Sequence, residues 1–331
     1  MSVALLNRET VVPYLKSRGL INDGSNIEVE EISGGVSNVV LGIRDKDSDL
    51  VLKQALAELK VEANWVVDQR RAIVEARAIE LYHSISPKVV PRLIDSDPER
   101  FTLTMQRAPR SSRVWKSELL AGNIDPEIGA KLGQILAGWH SECAQSKEIQ
   151  DAFAEDSLFE QLRISPFYRE ISLKNPPLVT KLSKLIAELK EEKSTIVHGD
   201  FSPKNFLVDK DNAVYVLDFE VAHYGNPVFD LAFTLAHLLC KYFRTDSTAE
   251  EAALKFTAQS FVTAYSDVSG GPLPKSLALH TAALALSRVE GKSRVDYLSQ
   301  AAQEQVKKRT KKVLEDFSTI DPANLFSKDF S

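Results

Sequence analysis

The segment His198–Glu220, which reads HGDFSPKNFLVDKDNAVYVLDFE, constrains the fold of this chain more than any other segment. Two short apolar runs, Phe206–Val208 and Val214–Leu217, flank a polar stretch, and this alternation is typical of a β-hairpin. We predict that Asp211 and Asn212 form the turn, because their short side chains tolerate positive φ angles.

This turn would set which residues face each other across the hairpin. With Asp211 and Asn212 at the turn, Asn205 faces Asp218 at the open end. Directly opposed Cα atoms of an antiparallel pair lie roughly 4.5 to 5.5 Å apart, so ligands from both strands can serve one metal site. Asp200 lies just upstream. Asp and Asn are also ordinary turn residues, which remains the alternative interpretation.

The spacing of these residues matches a known catalytic arrangement. Protein kinases carry HRDxxxxN and then DFG, in which the first Asp accepts the substrate proton while the Asn and the second Asp hold magnesium. Asp200 and Asn205 keep the first interval, and Asp218 takes the DFG position. Gly199 replaces the Arg and Glu220 replaces the Gly, so the segment departs from protein kinases at both places.

The secondary-structure pattern changes near residue 108. Strand-like runs precede it at 27–32, 38–43, 50–54, 91–94 and 101–105, interrupted by one helix at 68–83. Helical patterns follow it at 125–143, 178–192, 227–242, 248–265, 274–290 and 293–317. We therefore predict an α+β protein with a β-rich N-terminal nucleotide-binding domain at 1–108 and a helical catalytic and substrate domain at 109–331.

A glycine pair between two predicted strands forms a candidate phosphate-binding loop. Gly34 and Gly35 would let backbone N–H groups approach a ligand, and Ser37 and Asn38 follow directly. An ordinary hairpin turn explains the same residues equally well.

Lys53 and Glu75 form a candidate ion pair. Lys53 lies in the apolar strand pattern LVLKQA, and Glu75 lies within the apolar stripe of the following helix. A carboxylate on a buried face is costly unless it is paired, so we predict that the two meet. Arg71, four residues before Glu75, is the alternative partner, and Lys53 could instead extend to solvent.

The chain resembles the aminoglycoside phosphotransferase and choline kinase superfamily, which has a two-lobed protein-kinase-like fold. HGDFSPKN is similar to that family's HGDxxxxN, and LDFE followed by GNPVFDLA is similar to its metal-binding Asp with a downstream Asp. The resemblance implies that Asp200 is the catalytic base and that Asp230 and His198 support the catalytic loop. From sequence alone, Asp230 is equally explained as an early acidic residue of a helix.

The same resemblance implies ATP and Mg²⁺ as cofactors. Lys53, oriented by Glu75, would bind the ATP phosphates, beneath the Gly34–Gly35 loop. The metal ligands would be Asn205, Asp218 and Glu220. Adenine would meet the backbone around Gln106, Arg107 and Ala108, with Met105 as a pocket wall or as an ordinary core residue.

The segment KQALAELKVEANWVVDQRRAIVEARA is similar to the region around the phosphate-binding lysine of methylthioribose kinases. That likeness is partial, since those kinases are longer and commonly have another residue at the position of Asn205. It implies that Arg288 and Arg294 reach the substrate. Both arginines are equally explained as cations at helix ends.

Charge and cysteine content exclude other classes. The net charge is −5 and the pI about 5.8, which argues against nucleic acid as a partner. Cys143 and Cys240 form no metal-binding or disulfide pattern, and no apolar run reaches the roughly 20 residues of a membrane span. We therefore expect a cytoplasmic protein that acts on a small hydroxylated substrate, away from membranes.

The leading hypothesis is an ATP-dependent kinase of a small metabolite, such as a sugar or an amino alcohol. The first alternative, a protein kinase, is disfavoured because only nine residues separate Glu220 from Asp230, which leaves no room for an activation segment. The second, a nonenzymatic nucleotide-binding protein, predicts the loss of at least one of four residues, and none is lost: Lys53, Asp200, Asn205 and Asp218.

Overall fold

A computed structural model describes residues 3–22, 26–32, 37–58, 66–144, 146–316 and 320–328. The chain divides into two compact units. The first comprises Met1–Ser112 and Tyr215–Val221, and the second comprises Arg113–Val214 and Ala222–Ser331. The sequence had placed the whole hairpin segment in the helical half, whereas its Tyr215–Val221 part belongs to the first unit. Hydropathy patterns show which runs are buried but not which unit buries them.

The first unit is built on a five-stranded antiparallel sheet with strand order β1-β2-β3-β5-β4. Its elements are α1 (Val11–Ser17), β1 (Glu28–Glu31), β2 (Asn38–Arg44), β3 (Asp49–Ala55), α2 (Arg71–Ile85), β4 (Leu93–Asp97) and β5 (Thr102–Gln106). Lys53 on the central strand β3 pairs with Val40 of β2 and Leu103 of β5. The five predicted strands and the predicted helix are all present. The short helix α1 was missed, because it spans too few turns to give a clear period.

Helix α2 buries one face in the first unit. Ala72, Glu75, Ile79 and Tyr82 are buried and follow the i, i+3, i+7, i+10 spacing of a single stripe. The helix begins at Arg71, three residues after the predicted start. Asp68 lies outside it, where its carboxylate accepts the backbone N–H of Arg70 at 2.9 Å.

The second unit is predominantly helical. Its helices are α3 (Trp115–Leu120), α4 (Pro126–Glu142), α5 (Lys147–Ala152), α6 (Ser157–Phe159), α7 (Glu170–Lys174), α8 (Val179–Glu191), α9 (Val228–Arg244), α10 (Thr248–Ser269), α11 (Leu277–Glu290) and α12 (Gln300–Asp316). Between α6 and α7, residues Glu160–Arg169 wind in wide π-type turns. The six predicted helices correspond to α4 and α8 to α12. The shorter helices were missed for want of a full apolar period.

Five short strands complete the structure: β6 (Arg113–Val114), β7 (Thr195–Val197), β8 (Phe206–Val208), β9 (Val214–Val216) and β10 (His223–Gly225). The strands β7 and β10 form an antiparallel pair, and β6, β8 and β9 form a three-stranded sheet. The predicted α+β class is thus confirmed. Within the described residues, every helix is too short or too polar to cross a bilayer.

Glycines allow close packing of α4 against α10. A Cβ atom added to Gly129 would lie 2.6 Å from the carbonyl oxygen of Thr257, and one added to Gly133 would meet the carbonyl oxygen of Phe261 still more closely. The backbones approach each other there, so neither position has room for a side chain. Gly138, on the same helix, has nothing within 4 Å of its added Cβ.

Replacing Gly133 by alanine is therefore expected to destabilise the protein by about 1–3 kcal/mol, because a methyl group must push α10 away. Gly138→Ala is the matched control. It should stabilise the protein by about 0.5–1 kcal/mol, since alanine loses less backbone entropy in a helix. Urea unfolding followed by circular dichroism measures both changes. Equal effects of the two substitutions would contradict the packing role of Gly133.

Candidate active site

The predicted ion pair between strand β3 and helix α2 is present. The Lys53 Nζ atom lies 2.6 Å from Glu75 Oε1 and 2.8 Å from Asp218 Oδ1. Glu75 is buried and the Lys53 side chain is 11% exposed. Lys53 therefore joins Glu75 to Asp218, the residue at the DFG-like position.

A second ion pair orients Glu220. Its Oε2 atom accepts from Arg71 Nε at 3.1 Å and from Asn38 Nδ2 at 3.3 Å. Arg71 is fully buried and also donates to the carbonyl oxygens of Ser37 and Leu56, at 2.6 and 2.7 Å. The sequence offered Arg71 as an alternative partner of Glu75. In the structure it pairs with Glu220 instead, and Asn38 and Ser37 help to fix that pair.

These side chains form a cluster that could hold a metal ion. One carboxylate oxygen from each of Glu75, Asp218 and Glu220 lies within 4.8 Å of the others. Three carboxylates face two cations, Lys53 and Arg71, so one negative charge is in excess. Oxygen ligands with net negative charge are the donor set that Mg²⁺ and Ca²⁺ prefer.

The charges in this cluster shift its pKa values. Burial alone would lower the pKa of the Lys53 ammonium, but the surrounding carboxylates outweigh it and raise that pKa. Lys53 is therefore a cation. Burial raises the pKa of the Glu75 carboxyl; Lys53 opposes this rise, and the two nearby carboxylates reinforce it.

The segment that carries Asp218 is held against helix α2. The Phe219 ring packs on the Tyr82 ring with centroids 5.1 Å apart, and the Val216 N–H donates to the carbonyl of Val89 at 2.9 Å. Asp218 has a φ of 71°, a left-handed conformation that is uncommon outside glycine but tolerated by Asp and Asn.

The predicted adenine-binding residues lie at the end of β5. Met105 is buried in the sheet, as the core-packing alternative also predicts. The backbone N–H groups of Gln106 and Arg107 donate to the carbonyl oxygens of Arg92 and Asp49. Of the three linker amides, that of Ala108 alone makes no backbone hydrogen bond within the described part of the chain. The N–H groups of Gln106 and Arg107 are thus used within the first unit, and the backbone contact of this linker with adenine stays a prediction.

The predicted phosphate-binding loop is described in part. Gly34 and Gly35 lie outside the described residues. Ser37 and Asn38 lie at the start of β2, where the Asn38 side chain also donates to Ser37 Oγ at 2.9 Å. That side chain thus fixes Glu220 and its own loop.

In the second unit, helix α9 fixes the loop that carries Asp200. The Asp230 carboxylate accepts the backbone N–H groups of His198 and Gly199 at 2.7 and 2.9 Å. Thr234, one turn later on the same face, donates to the carbonyl of Phe201 at 2.7 Å. The bracing of this loop by Asp230, implied by the family resemblance, is therefore seen in the geometry.

His198 and Gly199 shape the same loop. The His198 Nδ1 atom accepts the backbone N–H of Asp200 at 3.1 Å, so the imidazole supports the loop from within. Gly199 has a φ of 75°. An arginine at this position, as in HRD, would be strained, which explains why the chain carries glycine there.

Two cations bind the Asp200 carboxylate. Its Oδ2 atom lies 3.1 Å from Arg163 Nη2 and 2.8 Å from Lys204 Nζ. Arg163 also donates through Nε to the carbonyl of Gly199 at 2.5 Å. Asn205 Nδ2 donates to the Asp200 carbonyl at 2.9 Å, so the amide oxygen is the atom of Asn205 that could bind a metal ion.

The hairpin turn differs from the prediction. The Asp209 N–H donates to the carbonyl of Ala213 at 3.0 Å, which encloses a three-residue loop. Asn212 has a φ of 58°, and the Asp209 carboxylate accepts the N–H groups of Asp211 and Ala213 at 2.9 Å each. The two-residue turn was wrong because the Asp209 side chain stabilises a wider loop. The predicted register, with Asn205 directly opposite Asp218, depended on the two-residue turn and therefore does not follow from the observed loop.

The two arginines near the end of α11 have different environments. Arg288 is 5% exposed, and its guanidinium carbon lies 4.0 Å from the centroid of the Phe167 ring. Arg294 is exposed, and its Nε atom donates to the carbonyl of Gly291 at 3.4 Å. The interpretation of the two arginines as surface cations at helix ends therefore fits Arg294 but not Arg288.

Sequence reasoning missed several charged residues of these clusters. Lys204 could have been found, because it follows Asp200 by four residues within the motif. Arg163 carries no such signal, since it lies in an irregular helical segment far away in sequence.

A cavity lies elsewhere in the second unit. It has a volume of about 440 Å³ and is lined by residues that include Trp115, Glu118, Asp125 and Asn212. No predicted site residue lines it. The charged clusters around Lys53 and Asp200, rather than this cavity, therefore form the candidate active site.

Comparison with known families decides the class of the protein. The model of the APH family, described as "Phosphotransferase enzyme family", matches residues 28–269, which is more than half of the chain. The chain belongs to this phosphotransferase family. The resemblance predicted from HGDFSPKN and LDFE is thus confirmed.

This phosphotransferase-family protein is similar in sequence to methylthioribose kinases. The methylthioribose kinase of Enterobacter sp. (strain 638) is 26% identical over 265 residues, which cover 71% of this chain and 65% of that protein. The chain thus spans about two thirds of the length of this curated relative.

Two solved structures share the fold. The choline kinase LicA from Streptococcus pneumoniae has a TM-score of 0.55 at 15% identity, covering 93% of this chain and 99% of that one. The amicoumacin kinase hAmiN, solved with AMP-PNP, Ca²⁺ and Ami, has a TM-score of 0.58 at 16% identity and covers 96% of both chains. These likenesses establish the kinase-like fold of the phosphotransferase family.

Proposed function

We propose that this protein transfers the γ-phosphate of ATP to a hydroxyl group of a small molecule. The observation that carries the proposal is the Asp200 carboxylate, which is buried yet fixed by a loop, an arginine and a lysine. Phosphoryl transfer needs a positioned base, a neutralised triphosphate and a shielded site rather than covalent catalysis.

The first unit would bind the nucleotide. Lys53, fixed by Glu75, would neutralise the α and β phosphates, and the loop of Gly34, Gly35, Ser37 and Asn38 would cover them. The backbone of Ala108, beside Met105, would meet the adenine. The Asp218 and Glu220 carboxylates would hold Mg²⁺, which suits their hard oxygen donors and would neutralise phosphate charge when bound. Asn205 of the second unit would supply an amide oxygen as a further metal ligand.

The second unit would bind and activate the acceptor. Asp200 would accept the hydroxyl proton as the acceptor oxygen bonds to the γ-phosphorus and the bond to the β,γ-bridging oxygen breaks, releasing ADP. Arg163 and Lys204 would orient the carboxylate. Asp230 and His198 would hold the loop in place. Arg288 would contact the acceptor.

Turnover with Mg²⁺ and ATP tests the proposal directly. Acceptors should include neutral sugars, sugar acids, sugar phosphates, amino alcohols, choline and an aminoglycoside, with ADP release and the mass of the product as readouts. We expect phosphorylation of at least one acceptor and no product without Mg²⁺. Nucleotide binding by calorimetry, measured in parallel, identifies the alternatives: binding with no product from any acceptor would make the chain a nonenzymatic nucleotide-binding protein, and phosphorylation of a protein substrate alone would make it a protein kinase.

A further inference from the structure

Two buried side chains, Lys241 on α9 and Arg288 on α11, form what we call the buried cation cluster, and His237 of α9 lies beside Lys241. Arg288 is 5% exposed and packs against the rings of Phe167 and Phe233, at 4.0 and 5.6 Å from their centroids. Its Nε and Nη2 atoms are buried and have no hydrogen-bond partner. A guanidinium that packs on ring faces with two unsatisfied donors is unusual, because each buried donor has given up its hydrogen bond to water without a replacement.

The Lys241 ammonium has no anionic partner within the described residues either. Lys241 is 2% exposed, and its Nζ atom reaches two neutral oxygens, the His237 carbonyl at 3.3 Å and the Tyr297 hydroxyl at 3.5 Å. His237 has a buried Nε2 atom without a partner, and its ring meets Phe233 edge-on at 4.9 Å. Within the described residues, no carboxylate lies within ion-pair distance of Lys241 or Arg288.

Unpaired buried charges destabilise a fold, so a retained pair of them points to a ligand that supplies the missing charge. The cost is also seen in proton affinity. Burial lowers the pKa of Lys241 to about 7 and that of Arg288 to about 10. If these side chains served only to stabilise the fold, apolar residues of similar volume would stabilise it more.

The cluster adjoins the Asp200 carboxylate. Arg163, which forms the ion pair with Asp200, lies over the same two rings as Arg288, at 5.7 Å from Phe167 and 5.9 Å from Phe233. The charge of Asp200 also acts on Arg288, where it opposes the lowering of the pKa. A molecule whose hydroxyl meets Asp200 would therefore bring its other end to Arg288 and Lys241.

We propose that the phosphate acceptor is an anion, a hydroxylated carboxylate or phosphate ester whose negative group binds Arg288 and Lys241. This inference rests on the proposed function and names the acceptor class for it. Polycationic and choline-like acceptors are disfavoured, because their charge would meet buried cations of the same sign. A neutral sugar would leave the guanidinium unpaired.

Matched acceptors with one carbon skeleton test the inference: D-ribose, D-ribonate and D-ribose 5-phosphate, with choline as the cationic arm. We expect kcat/KM to be about 10- to 100-fold higher for at least one of the two anions, the range that a charge-assisted hydrogen bond supplies. The two anions distinguish carboxylate from phosphate ester. Equal or better turnover of the neutral or cationic acceptor would overturn the inference while leaving the proposed function intact.

Variants give a second readout. Arg288→Met and Lys241→Met should raise KM for the anionic acceptor by about 10- to 100-fold with little change in kcat, and should leave KM for ATP unchanged. Lys184→Met, at an exposed position on α8, is the matched control and should change neither constant. A loss of kcat with unchanged KM for the acceptor would contradict binding by these two side chains.

Melting of the enzyme without nucleotide separates this inference from the proposed function. D-ribonate or D-ribose 5-phosphate should raise the melting temperature of the wild type but not of Arg288→Met. Without ligand, Arg288→Met should melt no lower than the wild type, since an apolar side chain replaces an unpaired charge. Stabilisation without turnover of any acceptor would support the anion site and refute the kinase. If neither anion raises the melting temperature and neutral acceptors are turned over, the anion site is refuted and the kinase function is supported.

Discussion

Replacing Asp200 by asparagine is expected to lower kcat by about 10²–10⁴-fold, the range that general base catalysis contributes. The amide keeps the shape and the loop but cannot accept the hydroxyl proton. Arg163 and Lys204 would then face a neutral group, so the acceptor hydroxyl would also be less well aimed. Single-turnover measurement of product with saturating ATP gives the rate of the chemical step.

The control for this variant is Asp211→Asn, an exposed residue of the hairpin turn that should retain wild-type turnover. Nucleotide affinity of Asp200→Asn, measured by calorimetry, should stay within a few-fold of the wild type, because the nucleotide ligands proposed for the first unit are untouched. If Asp200→Asn keeps full turnover, the base lies elsewhere and the proposed mechanism is wrong.

Replacing Lys53 by methionine is expected to destabilise the protein by about 3–5 kcal/mol, the usual result of removing one partner of a buried ion pair. Glu75 is 1% exposed and would be left beside Asp218 and Glu220 with no cation in contact. Turnover should fall as well, since the triphosphate loses the charge that neutralises it. Urea unfolding and steady-state kinetics measure the two effects.

A double variant separates these effects. Lys53→Met combined with Glu75→Gln removes the buried charge of both partners, so most of the lost stability should return. Turnover should not return, because no cation remains for the phosphates. Recovery of turnover in the double variant would show that Lys53 acts only in folding and is not a phosphate ligand.

The sequence predicted the elements of this protein better than its contacts. The Lys53–Glu75 pair followed from burial: a carboxylate within an apolar helical stripe needs a cation, and the adjacent strand offered one. Arg71 shows the limit of that argument. It lies on the same helix and could have satisfied the same carboxylate, but Glu220, which pairs with it, is distant in sequence.

The hairpin shows the same limit at short range. Its two strands followed from apolar runs, but the register depended on whether Asp209 belonged to the strand or to the loop. The Asp209 carboxylate accepts two backbone N–H groups and so creates the wider loop. Hydropathy cannot register such a bond, because it depends on side-chain direction rather than on polarity.

The segment Tyr215–Val221 has a consequence for how such proteins can be divided or recombined. Asp218 and Glu220, which balance Lys53 and Arg71, are encoded more than one hundred residues after the rest of the first unit ends at Ser112. A gene fragment that stops at Ser112 would leave the buried Arg71 without the Glu220 carboxylate and Lys53 with Glu75 as its remaining partner. Exchange of the first unit between relatives, in nature or in the laboratory, therefore requires three crossovers, and a single junction yields chimeras with mismatched charge.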